Sequence, residues 1–179
     1  MQTPEAFARR FRVDVRTASE VTAIDVRRKE VTVRTSDGRE YVETYDKLLL
    51  SPGASPVCPP LTGIDSRGIF TLRNVQDTDR IKDYVRQHQV RRALIVGGGF
   101  IGLEMAENLQ HTGAEVAVVE MANQVMAPID YSMAALVHEH LLQQDVKLYL
   151  EQAVESFSRE KEELTVHFKS GINLKADMV

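Results

Sequence analysis

Two periodicities divide this chain. In its first fifty residues apolar positions recur in short runs, mostly at every second residue: Val13-Asp-Val15, Val21-Thr-Ala-Ile24, Val31-Thr-Val33, Tyr41 to Tyr45 and Leu48-Leu-Leu50. That pattern predicts short β-strands, and Asp37-Gly38 predicts a hairpin turn between two of them. Ahead of them, residues 4–11 read as a short helix with Pro4 in its first turn. The run Ser51-Pro-Gly-Ala-Ser-Pro-Val-Cys-Pro-Pro60 interrupts the pattern and reads as a connector. Beyond it the spacing alternates between strand and helix. Asp77 to His88 predicts a polar helix capped by Asp77 or Thr78. Ala93 to Val96 is a short apolar run suited to a buried parallel strand. Ile101, Met105 and Leu109 carry a helix over Phe100 to His111, with Gly113 as its stop. Val116 to Val119 gives a second strand. Met133, Val137 and Leu141 give a helix that Asp130 can cap, and Val146 to Leu150 a third strand.

The junction of first parallel strand and helix carries chemistry. Gly97-Gly98-Gly99-Phe100-Ile101-Gly102 contains Gly-x-Gly-x-x-Gly. Gly97 permits a tight turn, Gly99 lets the backbone approach a pyrophosphate, and Gly102 lets helix and strand pack closely. The N–H groups at the helix start and its dipole favour phosphate charge. Glu120 ends the second strand about 20 residues on, where an acid would hold a ribose hydroxyl pair. Strand, turn, helix, strand and acid fall in the required order, so an NAD site outweighs a bare β–α turn. An acid repels a 2′-phosphate, which favours NAD(H) over NADP(H).

Composition narrows the class. The 179 residues are 43 % hydrophobic and 27 % charged, with a net charge of −4. That balance is of an ordinary globular chain with no bias towards nucleic acid or anionic membrane. No apolar run approaches the ~20 residues of a membrane span, and the N-terminus lacks a signal-peptide core. The lone cysteine, Cys58, reads as an ordinary loop thiol and fits a reducing cytoplasm. No metal-spaced Cys/His set is present. His138 and His140, two apart, point to different sides of a helix. Glu160-Lys-Glu-Glu163 reads as a solvated hairpin tip, Arg91-Arg92 as surface charge, and Met121, Met126 and Met133 as packing.

The end of the chain repeats its beginning. Val31-Thr-Val-Arg-Thr-Ser-Asp-Gly38 matches Leu164-Thr-Val-His-Phe-Lys-Ser-Gly171 at an offset of 133. At that offset Val13 falls on Val146 and Glu20-Val21 on Ala153-Val154, while Tyr45 to Leu48 faces Ala176 to Val179 after a loss of two residues. The second copy follows a complete nucleotide-binding unit and the first does not. The expectation is therefore a piece of a longer enzyme, lacking a nucleotide-binding unit upstream and ending within its last strand.

The run Val96-Gly-Gly-Gly-Phe-Ile-Gly-Leu-Glu-Met-Ala-Glu107, the run Tyr45-Asp-Lys-Leu-Leu-Leu-Ser-Pro-Gly-Ala-Ser-Pro56 and Glu20-Val-Thr-Ala-Ile-Asp25 together resemble the FAD-dependent pyridine nucleotide–disulfide oxidoreductases. Val119-Glu-Met-Ala-Asn-Gln-Val-Met-Ala-Pro-Ile-Asp130 is similar to the branch of coenzyme A-disulfide reductases, NADH-dependent persulfide reductases and NADH oxidases. The resemblance implies an α/β fold. Residues 1–56 would be a partial FAD-binding domain (a β-meander), 57–71 a connector, and 72–179 a Rossmann-like three-layer NADH-binding domain with its own meander. It implies NADH and, in the full-length parent, FAD as cofactors. Hydride would pass through flavin to a disulfide, a persulfide or oxygen in a cytoplasmic homodimer; a non-catalytic NAD(H)-binding module is the alternative. Carried over, Gly97, Gly98, Gly99, Ile101 and Gly102 belong to the phosphate turn and Glu120 to the adenosine ribose. Phe100 matches an aromatic gate over the flavin, and Glu104 a carboxylate beside the nicotinamide. Val21 matches a backbone contact to the FAD adenine, and Ser51-Pro52-Gly53 a loop closing over FAD. No redox cysteine falls in these residues, so no catalytic nucleophile is assigned and the piece alone is expected to have no turnover.

Overall fold

The computed structural model describes residues 3–161 and 163–179. The chain divides into two compact units, Met1–Gly53 and Ala54–Val179. The first holds helix α1 (Pro4–Phe11), capped by the Thr3 hydroxyl, and a meander of β1 (Ser19–Asp25), β2 (Glu30–Thr35) and β3 (Glu40–Thr44). The three strands pair antiparallel in chain order. Gly38 takes φ 84° in the predicted hairpin turn. The two inward residues of β2, Val31 and Val33, are the buried apolar side chains of this unit.

Two expected strands are absent from it. Residues 13–17 and 48–50 are irregular. A strand is completed by a neighbour, and neither run has one: Val13 is half-exposed and Leu49 is 90 % exposed.

The second unit has three layers. Its centre is a parallel sheet of β4 (Arg92–Val96), β5 (Glu115–Val119) and β6 (Lys147–Tyr149). Helices α2 (Val75–His88), α3 (Phe100–Gln110) and α4 (Tyr131–Gln143) supply the second layer. The third is an antiparallel meander of β7 (Val154–Glu160), β8 (Glu163–Phe168) and β9 (Asn173–Ala176). Strand alternation assigns the faces. Ala93, Val116 and Val118 point into a core with Ile81, Ala106, Leu109 and Leu141 of the helices. Leu94, Val119 and Tyr149 point the other way, against Phe157, Val166 and Phe168 of the meander. This is the three-layer Rossmann-like arrangement that the family resemblance implies.

The expected connector, residues 57–71, is built into this unit. Leu61, Ile64 and Ile69 pack on the meander core. Thr62 accepts from the Phe157 N–H (2.8 Å), and the Phe70 N–H donates to the Val179 carbonyl (2.8 Å). Met178 bridges Ala93 in parallel sense, so the chain end lies along β4. Asp177 fixes that end. Its carboxylate accepts the backbone N–H groups of Arg91 and Arg92 (both 2.9 Å) and a guanidinium N–H of Arg92 (3.0 Å). Burial alone would raise the Asp177 pKa. The backbone N–H donors and Arg92 overcome that effect and hold it below the usual carboxylate range. Arg92 is thus part of an ion-paired joint with Asp177 and Glu163 and not a loose surface charge.

Local chemistry corrects three further expectations. Helix α2 starts earlier than predicted, with Asn74 as its cap. The Asn74 side chain accepts from Asp77 N–H while Asp77 accepts from Asn74 N–H, a reciprocal capping box. Asp130 occupies the cap position of α4, yet its side chain makes no capping bond. The internal repeat is real in form but shifted in register. Val31 opposes Glu43 as Leu164 opposes Ala176, which keeps the offset of 133. In the first strands, however, Ile24 opposes Val31 as Arg159 opposes Leu164, a displacement of 135. β1 ends at Asp25 and β2 begins at Glu30, whereas β7 ends at Glu160 and β8 begins at Glu163, so the second tip is two residues shorter. A bulge between Val21 and Ala23 adds one more residue: Val21 opposes Val33 as Phe157 opposes Val166, so Val21 corresponds to Phe157, a displacement of 136, and not to Val154.

Candidate functional site

The glycine turn joins β4 to α3 at the carboxyl edge of the parallel sheet. Gly97 takes φ 113°, a conformation that a side chain would strain, and its N–H donates to the Val119 carbonyl (2.8 Å). Gly102 lies under that turn. A Cβ there would meet the Gly97 carbonyl oxygen at 2.0 Å, so helix and strand can approach this closely only at glycine. Gly98 is buried, and a Cβ on it would strike the Val125 side chain at 2.7 Å. Gly99 differs. It is exposed, with φ −80°, and a Cβ would meet nothing within 4 Å. Open space beside Gly99 adjoins the start of α3, which has no side-chain cap and no acidic residue in its first turn. The leading N–H groups of a helix lack intrahelical partners, so this end presents uncompensated donors to an anion.

Glu120 follows β5 directly and reaches across to the turn. One carboxylate oxygen, Oε2, accepts the Gly98 N–H at 2.7 Å, and Oε1 accepts the Ala122 N–H at 2.8 Å. Its own N–H donates to the Tyr149 carbonyl (2.9 Å). These bonds fix the carboxylate plane and still leave acceptor capacity, since each oxygen carries two lone-pair directions. The structure therefore brings together the turn, the uncapped helix and the acid, which the sequence places some twenty residues apart. Open space at Gly99, donors at the helix start and an oriented carboxylate at the next strand end fit the pyrophosphate and ribose of a dinucleotide such as NADH.

Phe100 and Ile101 stand at the helix start, 63 % and 58 % exposed. Both line an apolar hollow of about 570 Å³ with Ile95, Val96, Met105 and Val179 at the end of β4. Glu104 does not line that hollow. It borders the grooves on either side of α3, one towards α4 and one towards α2, and Phe100 also borders the first. Among the described residues no cluster of three metal-ligating side chains exists. Cys58 is exposed. Val21 is an exposed residue of β1, and Ser51, Pro52 and Gly53 form an exposed irregular stretch, all in the first unit.

One participant was not legible as such. The loop after Glu120 is clasped to the turn by the Met126 N–H, which donates to the Gly98 carbonyl (2.8 Å). The Val125 N–H in that loop donates to Nε2 of His138 on α4, 3.1 Å away. The helical pattern presents His138 only as a poor metal ligand. Its partner lies thirteen residues back in an irregular loop, where no periodicity could point to it.

The profile of the family described as pyridine nucleotide-disulphide oxidoreductase matches residues 4–179. A coenzyme A disulfide reductase of Staphylococcus haemolyticus is 38 % identical over 178 residues, covering 99 % of this chain and 39 % of that protein. The crystal structure of reduced Bacillus anthracis CoADR-RHD is 48 % identical, with a TM-score of 0.86, over 99 % of this chain and 32 % of that one. The water-forming NADH oxidase from Lactobacillus brevis, solved bound to NADH, is 27 % identical with a TM-score of 0.81, over 99 % of this chain and 39 % of that one. The chain thus spans about two-fifths of the length of the curated relatives it matches. No described helix is long and apolar enough to cross a membrane. A profile match over nearly every residue, together with the strand, glycine turn, helix and acid found here in three dimensions, places the chain in the pyridine nucleotide-disulphide oxidoreductase family.

Proposed function

We propose that Ala54–Val179 is the NADH-binding portion, and Met1–Gly53 part of the FAD-binding portion, of an FAD-dependent oxidoreductase. In the whole enzyme, reducing equivalents would pass from NADH through flavin to a small disulfide or persulfide of the coenzyme A type. The observation that carries the reading is the Glu120 carboxylate held 2.7 Å from the Gly98 N–H, which unites the acid and the phosphate turn in one site. Bound NADH supplies a hydride. The chain's own residues bind and orient it: the backbone N–H groups from Gly99 to Ile101 face the pyrophosphate, and Glu120 accepts the two adenosine-ribose hydroxyls. Gly102 keeps the helix end close enough for both. Phe100, exposed at the mouth of the apolar hollow, would cover the flavin face until nicotinamide displaces it. Glu104, one turn further along α3, would contact the nicotinamide side. Val21 and Ser51-Pro52-Gly53 would meet FAD.

Oxygen as the final acceptor is the second reading, favoured by the similarity to the Lactobacillus brevis NADH oxidase. A homodimeric, cytoplasmic enzyme acting on small molecules fits either. NADH titration of the wild-type chain and of Glu120→Ala tests the site. Losing two ribose hydrogen bonds should weaken NADH by about tenfold or more, and NADPH should bind the wild type more weakly than NADH. An affinity for NADH unchanged by Glu120→Ala would remove the acid from the site and with it this proposal.

A further inference from the structure

The Gly98 peptide is held from both ends by the loop that follows Glu120. Its N–H is taken by the Glu120 carboxylate, and its carbonyl accepts from Met126 N–H. Between these two points Val125 is fully buried, with its side chain pressed against the Gly98 backbone so closely that a methyl on Gly98 would clash at 2.7 Å. The loop is thus the floor on which the phosphate turn rests. Its backbone is irregular, and Met126 takes φ 55°, a left-handed conformation that a methionine adopts only when its surroundings impose it. The buried Val125 N–H has its partner on another element, Nε2 of His138. A ring nitrogen that accepts a hydrogen bond carries no proton, so the His138 imidazole is the neutral Nδ1–H tautomer here. Tyr131, two turns back on α4, sets its ring edge-on to the imidazole (6.2 Å between centroids, 77°), which restrains the ring.

From this geometry we infer that His138 is a positioning residue for the nucleotide site. By accepting the Val125 N–H it ties α4 to the 120–126 loop and so holds Gly98, and the Glu120 carboxylate bonded to it, in the geometry that receives NADH. The inference rests on the NADH reading above. His138 touches no cofactor and acts through Val125.

His138→Leu removes the acceptor, and His138→Gln replaces it with an amide oxygen at nearly the same reach. Amide hydrogen exchange and NADH titration on the 179-residue chain read the two variants, with exchange of the Leu164 and Val166 amides as the control for an intact fold. In His138→Leu the Val125 and Gly98 amides should exchange at least ~10-fold faster and NADH should bind ~10-fold more weakly, while the Leu164 and Val166 amides stay protected. His138→Gln should restore both values. Unchanged exchange at Val125 in His138→Leu would overturn the tether. Faster exchange with unchanged NADH affinity would overturn the coupling to the site. Failure of the wild type to bind NADH would sink the NADH reading, and the positioning role with it, whereas the exchange result judges the tether separately.

Discussion

Substituting Gly102 by alanine separates close packing from helix propensity, because the two effects have opposite signs. Alanine is favoured over glycine inside a helix by about 1 kcal/mol. If Gly102 were only a helical residue, Gly102→Ala would stabilise the chain by roughly that amount. The structure says otherwise. The added methyl would lie 2.0 Å from the Gly97 carbonyl oxygen and 3.3 Å from the Ile95 side chain. The first contact falls about 1.4 Å short of an ordinary one, and its partner is backbone, which cannot rotate away as a side chain can. Helix α3 must retreat from β4 or the Gly97 peptide must turn. Overpacking of this kind costs about 1–3 kcal/mol. Taking the upper value, since relief requires main-chain movement, and subtracting the propensity gain leaves a net loss of about 2 kcal/mol. The same movement displaces the helix end by an ångström or so, and NADH affinity should fall by ~10- to 100-fold. Gly99→Ala is the matched control. Its Cβ would meet nothing within 4 Å and its φ of −80° suits any residue, so stability should change by only a few tenths of a kcal/mol. In the proposed site its methyl would nonetheless stand where a pyrophosphate would approach, and binding should be lost. Urea unfolding and NADH titration of both variants decide the matter. A Gly102→Ala chain more stable than wild type, or one that binds NADH equally well, would refute the close approach of helix and strand.

Other perturbations follow from the same contacts. Asn74→Ala breaks the capping box of α2 and should cost ~1 kcal/mol in urea unfolding; no change would mean that Asp77 alone caps the helix. Leu164→Ala, at a site fully buried in the meander core, should cost about 2–5 kcal/mol and lower Tm accordingly. Asp177→Asn should cost about 2 kcal/mol at neutral pH, through the weakened bonds to Arg91 and Arg92. Because the Asp177 pKa is depressed in the folded chain, its contribution is fully present above the ordinary carboxylate value of 3.8 and fades as pH falls towards and through the lower folded value. The stability gap between wild type and Asp177→Asn should therefore close in acid, below about pH 4; a gap independent of pH would show that the charge plays no part.

What could be read in advance was whatever the chain specifies locally. Ala93 to Gly102 contains its own strand, turn and helix signals within ten residues, and Gly102 needs to be glycine for a reason that spacing alone expresses. Glu120 was legible because a β-α-β unit fixes where its second strand ends. Asn74-x-x-Asp77 also carries a signal, an N-cap residue with an acid three places on, which marks the helix start ahead of Asp77 and Thr78. The failures share another cause. Val13–Val15 and Leu48–Leu50 have strand composition, but a strand is defined by a neighbour, and neither run is given one in this structure. The offset of 133 is a property of letters, and the structural displacement of 135 in β1 and β7 arises from hairpin tips of different length. His138 is the sharpest instance. Nothing in the pattern of α4 distinguishes it from His140, because what sets it apart is a single N–H presented by an irregular loop. The floor beneath this glycine turn is irregular, since it supplies a donor to Gly98 from Met126 and a side chain to its face from Val125 within two residues. Irregular backbone leaves buried N–H groups that must find partners elsewhere. A site built from a motif therefore recruits residues that belong to no motif, and the place to look for them is on the helix that packs over the loop.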